Sequence, residues 1–148
     1  LKIESNGQEK TAMQTATVRW VGDEKFMGIS PSGHAVVMDG NSAEGSAATP
    51  MEMVLMALGA CSAVDVVSIL KKKRQKLVSL EVICHAEKAP EPPRVFTKLE
   101  LVYRLRGELE ENAVVQAIKL SEEKYCSVAA MLRKTATLTW RHEILPAE

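Results

Sequence analysis

Residues 49–76, TPMEMVLMALGACSAVDVVSILKKKRQK, constrain the fold more than any other stretch of the chain. Thr49 offers a capping hydroxyl, and Pro50 suits a first helical position because its missing N–H is not needed there. The cations at 71–76 fall where a helix ends and its last carbonyls gather negative charge. The spacing predicts one helix from about 50 to about 73. Glu52, Gly59, Ser62, Asp65 and Ser68 interrupt the apolar run, which favours a buried helix over a membrane span. A helix apolar nearly all round needs cover on more than one side, and one twisted sheet from 148 residues falls short of that. A second copy of the chain is the expected cover, giving a symmetric homodimer.

The remaining elements follow from period and punctuation. From Thr15 the apolar residues alternate, with Ala16, Val18 and Trp20 on one side. Turn chemistry at Gly22-Asp23 and at Pro31-Ser32-Gly33 predicts further strands over 25–30 and 34–39. A loop rich in Gly, Ser, Asn and Ala, DGNSAEGSAAT, then leads into the helix. Residues 77–88 and 94–105 read as strands joined by the proline loop 89–93, the second alternating through Leu99, Leu101, Tyr103 and Leu105. Residues 108–134 read as helix broken near Ser121, which is expected to cap a second helix with Glu122 and Glu123 in its first turn. Residues 136–145 close the chain as a strand. The order β-β-β-α-β-β-α-α-β predicts an α+β fold of antiparallel sheets around a buried central helix. Residues 13–148 are read as a single domain, with 1–12 a remnant or disordered tail ahead of Met13 as the natural start.

Nineteen basic residues balance nineteen acidic ones, so charge gives no reason to expect nucleic acid or an anionic membrane as partner. Three cysteines with no CxxC and no Cys/His pair at zinc spacing argue against a disulfide scaffold and a structural metal, and point to a reducing cytosol. Cys61 sits inside the apolar helix. By itself it reads as a small hydrophobe. Cys126 falls near the start of a short helix, where free backbone N–H groups favour a thiolate or an incoming anion. Cys84, in a strand away from any helix end, reads as packing. His34, His85 and His142 lie in separate strands at no ligand spacing, and KKKRQK reads as a solvated helix end. Met51, Met53 and Met56 read as core and interface filler.

Two segments change the weight of these readings. DGNSAEGSAATPMEMVLMALGACSAVDVVSIL and SEEKYCSVAAML resemble the glycine-rich loop, first-cysteine helix and second-cysteine segment of the OsmC/Ohr family of cysteine-dependent organic hydroperoxide reductases, in its YhfA-like subgroup. The resemblance runs over nearly the whole chain from Met13. It implies the OsmC-like fold and an intertwined homodimer with sites at the subunit interface. It also implies that Cys61 attacks the peroxide as a thiolate, that Cys126 resolves the sulfenic acid as a disulfide, and that a dithiol reductant reopens it. No cofactor or metal is implied.

Three positions depart from the peroxidase pattern. Met51 stands where the peroxidases carry a glutamate after the helix-opening proline. Glu52 is one residue later, at about 100° per residue nearly opposite Cys61. The loop ahead of the helix holds no arginine, which leaves Arg19 as the nearest candidate by sequence, and Ser127 replaces the usual proline. Asp65, one turn after Cys61, shares its face and either binds something cationic or is a satisfied polar residue at the interface. The candidate site is therefore Cys61 and Cys126, with Glu52, Asp65 and Arg19 in support. The alternative to a peroxidase is a non-enzymatic dimer of the same fold that senses redox state or binds a small apolar ligand. A purely structural protein with inert thiols is the third reading.

Overall fold

The computed structural model describes residues 12–148 and divides at Pro50 into two compact units. The expected tail at 1–12, apart from Ala12, lies outside the described residues.

The first unit is an antiparallel meander of β1 (Thr17–Gly22), β2 (Lys25–Ile29) and β3 (Ala35–Asp39), in that order. Its first turn uses Gly22 and Asp23 at φ of 120° and 47°, a left-handed region open to glycine and tolerated by aspartate. Trp20 pairs across with Phe26, and Phe26 with Met38. The glycine-rich segment after β3 is tied down by Asp39, which is 4% exposed. Its Oδ1 accepts from the Asn41 N–H at 2.9 Å and its Oδ2 from the Ser46 N–H at 3.1 Å. Those donors hold its carboxyl below the usual range.

The second unit opens with α1 (Pro50–Lys72), which stops where Arg74 turns left-handed at φ of 55° and Gln75 N–H reaches back to the Leu70 carbonyl. β4 (Lys76–Lys88), β5 (Phe96–Glu108) and β6 (Thr137–Leu145) form a sheet in that order. α2 (Glu111–Leu120), a π-helical turn (Ser121–Tyr125) and α3 (Ser127–Leu132) connect β5 to β6. The alternation read at Leu99, Leu101, Tyr103 and Leu105 is the core face of β5, and all four are fully buried. Leu58, Val66 and Leu70 of α1 and Val114, Ala117 and Ile118 of α2 complete that core. On the outer face Arg104 bridges Glu81 and Glu143 at 3.8 and 3.0 Å, exposed pairs worth roughly 0–1 kcal/mol each.

The α+β order is as expected, and one pairing differs from a purely antiparallel sheet. β4 and β5 are antiparallel, but β5 and β6 are parallel. The helical segment between them is a crossover that returns the chain to the same end of the sheet, as parallel neighbours require. α1 is long and apolar enough to cross a membrane by length and composition, an 18-residue window within it having a mean hydropathy of 2.2. Five of its 23 residues are buried, Leu58, Gly59, Ser62, Val66 and Leu70. They form one stripe against the unit's core, while Met56 and Val64 stand 52% and 69% exposed.

Candidate functional site

Cys61 lies beside the buried stripe of α1, half-buried and packed against the core. Cys126 follows the π-helical turn, in which its N–H reaches the Ser121 carbonyl five residues back at 2.8 Å. That extra residue per turn ends the helical run, and Cys126 takes extended backbone angles as the residue capping α3. Its Sγ accepts from the Ala129 N–H at 3.4 Å. The expected cap was Ser121, but Ser121 lies inside the continuing helical path and its hydroxyl is used elsewhere.

All three cysteines are free, and Cys61 stands close enough to Cys126 to influence its titration. Burial pushes Cys126 up to about 12, the Ala129 N–H pulls against it, and the nearby Cys61 sulfur and the Glu122 carboxylate add to the rise. Cys126 therefore carries its proton at neutral pH. Cys84 on β4 is raised too, first by burial and then by the Glu122 charge, with the Gly59 backbone opposing. A Cβ on Gly59 would lie 2.8 Å from the Cys84 sulfur, so α1 and β4 approach closely only because that position has no side chain.

Behind the thiols sits a polar cluster that sequence reasoning missed. Ser62 Oγ contacts the Tyr103 hydroxyl, donates to Glu122 Oε1 at 3.1 Å and meets Ser121 Oγ at 3.0 Å. Tyr103 donates to the same Glu122 oxygen at 2.6 Å. Arg133 pairs with Glu122 Oε2 at 2.8 Å and also reaches the Glu122 backbone carbonyl. The Glu122 side chain is 1% exposed, and only the Arg133 end of this chain of groups meets solvent, at 35%. Glu122 is thus a buried, paired carboxylate and not a surface acid of a first turn. The available signals were Ser62 beside Cys61 on an apolar helix, and a tyrosine on a core face whose hydroxyl needs a partner.

The other candidates are dispersed. Asp65 accepts from Ser121 Oγ at 2.9 Å, which gives its carboxylate a partner inside the chain. Glu52 is exposed in the first turn of a regular helix, while Met51 packs on the core. Arg19 is exposed on β1, in the first unit. Within the second unit an open groove of about 310 Å³ is lined by Leu55, Met56, Gly59, Ala60, Val82 and Cys84. Among the described residues no group of three or more His, Cys, Asp or Glu is arranged to hold a metal ion.

The sequence pattern of the family described as OsmC-like protein matches residues 43–141. Protein YhfA of Escherichia coli (strain K12) is 50% identical over 133 residues, which cover 89% of this chain and 98% of that one. A solved structure of a hypothetical protein from Aquifex aeolicus VF5 is 29% identical with a TM-score of 0.78, covering 91% of this chain and 99% of its own. The organic hydroperoxide resistance protein OhrB of Bacillus subtilis superposes with a TM-score of 0.62 over 89% of this chain and 98% of its own. At 14% identity that likeness is one of fold.

Proposed function

The chain belongs to the OsmC-like protein family, and from that premise we propose that it reduces organic hydroperoxides with Cys61 as attacking and Cys126 as resolving thiol. The observation that carries this reading is the pair of free thiols, Cys61 packed against the core cluster that contains Cys126. The attacking sulfur is assigned to Cys61 because it occupies the segment that resembles the family's first-cysteine helix. Cys61–SH and ROOH give Cys61–SOH and ROH. The sulfenic acid and Cys126–SH then give the disulfide and water, and a dithiol reductant returns both thiols while becoming a disulfide itself. The apolar groove beside Cys84 suits an alkyl or aryl peroxide better than hydrogen peroxide.

A homodimer belongs to the same reading. Met56 and Val64 leave an apolar face of α1 uncovered, and a second copy would bury it and close the groove. Free thiols acting in turnover fit a reducing compartment. Asp65 holds Ser121 in this scheme.

The test is peroxide consumption by the pure protein with cumene hydroperoxide and a dithiol. Cys61→Ser abolishes it and Cys126→Ser stops it after one equivalent; full turnover by Cys61→Ser refutes the assignment. Met51, in place of the family glutamate, favours a second reading in which the groove holds a small apolar ligand without turnover. Native mass spectrometry of freshly isolated protein would then show a retained ligand.

A further inference from the structure

The segments that carry the two thiols are fastened to each other by their neighbours. Ser62 follows Cys61 directly on α1, and Ser121 and Glu122 lie five and four residues ahead of Cys126. Their side chains meet at Ser62 Oγ, with Tyr103 of β5 closing the cluster onto Glu122. Ser62 and Ser121 are fully buried and Glu122 is 2% exposed. No buried side-chain nitrogen or oxygen among the described residues lacks a partner.

Such a cluster is a poor way to gain stability, because well-packed apolar residues of similar volume serve as well or better. What it does supply is direction. Packing alone lets a short helical segment slide or rotate against α1, whereas hydrogen bonds donated by Ser62, Tyr103 and Ser121 fix its distance and angle together. The segment held this way is the π-helical turn, in which Ser121 and Glu122 continue the buried stripe of Ala117 and Ile118 one turn on and after which Cys126 caps α3.

We infer that Ser62, Tyr103 and Glu122 are positioning residues for disulfide closure, holding the turn before Cys126 in the register that keeps its sulfur on that of Cys61. Arg133 completes the arrangement by holding the second Glu122 oxygen from the solvent side. This role deepens the thiol-pair reading above and rests on it.

The experiment measures closure without peroxide. In a Cys84→Ser background, the full chain is equilibrated with oxidised and reduced glutathione, so that two protein thiols and one glutathione disulfide exchange for one protein disulfide and two glutathione thiols. Alkylation and mass spectrometry give the effective concentration of Cys126 at Cys61. Tyr103→Phe and Glu122→Gln, both nearly isosteric, are each expected to lower it by tenfold or more with unchanged circular dichroism. Val114→Ala, which weakens the core away from the cluster, is expected to lower stability and leave the effective concentration unchanged. Closure as strong in both cluster variants as in the parent overturns the inference, and so does a parent that forms no disulfide in the redox buffer. A protein that fails to consume peroxide yet shows this dependence in glutathione refutes the peroxidase reading alone.

Discussion

Tyr103→Phe removes one oxygen from a fully buried position, and its consequence depends on what remains around it. In the native chain the hydroxyl donates to Glu122 Oε1 at 2.6 Å, and burial together with that carboxylate holds the phenol protonated far above its ordinary range. A hydrogen bond to a charged group contributes about 1.5–3 kcal/mol, so the substitution should cost about that much. Glu122→Leu leaves Ser62, Tyr103 and Arg133 without their shared partner. A broken buried ion pair costs roughly 3–5 kcal/mol, taken at the lower end because Arg133 is 35% exposed. In that second background the Tyr103 hydroxyl keeps only the neutral Ser62 hydroxyl as partner, and deleting it should cost about 0.5–1.5 kcal/mol. The coupling between the two positions is therefore about 1 kcal/mol. Urea unfolding of the four proteins at one fixed concentration, followed by circular dichroism, reads it as a midpoint change of about 1 M for Tyr103→Phe alone and about half of that beside Glu122→Leu. Equal losses in both backgrounds would refute the reasoning.

Three further outcomes follow from other parts of the chain. Gly59→Ala places a Cβ 2.8 Å from the Cys84 sulfur. Its gain of about 1 kcal/mol in helix propensity should be lost to about 1–3 kcal/mol of overpacking, whereas in a Cys84→Ala background it should stabilise; stabilisation in both contradicts the close approach. Cys126 is held protonated up to about 12, against 9.0 for an unperturbed thiol, so stability should be full below pH 9 and fall as pH rises from there towards 12. Cys126→Ser should flatten that alkaline limb, and an unchanged limb would count against the burial of the thiol. Asp39 is held below its ordinary 3.8 by the Asn41 and Ser46 N–H groups, so its support for the loop is present above that pH and lost as pH falls through its lowered value. Asp39→Asn should speed hydrogen exchange at both amides roughly tenfold at neutral pH, and no change would show that the carboxylate does not order the loop.

The strands and α1 were legible because each carries its own local signal. Leu99, Leu101, Tyr103 and Leu105 alternate, and Thr49-Pro50 announces a helix that runs to Lys72. The parallel β6 was hidden because period says which face a strand buries and nothing about its direction. The site was half legible. Cysteines can be seen in a sequence, but Ser121 and Glu122 before Cys126 look like a cap and first-turn acids. The helical path in fact continues through Ser121, so Ser121 and Glu122 extend the buried stripe of Ala117 and Ile118 instead of opening a new helix at the surface. The Glu122 partners Ser62, Tyr103 and Arg133 come from three other elements, so only tertiary packing brings their polar atoms together.

The central claim is that Cys61 and Cys126 form one redox pair, and its most direct test is a single addition of cumene hydroperoxide, one equivalent, to the fully reduced protein. Non-reducing peptide mass spectrometry then maps the thiols. A rapid disulfide between the peptides of Cys61 and Cys126, with Cys84 unchanged, is the predicted result. Three unchanged thiols, or oxidation confined to Cys84, would contradict it.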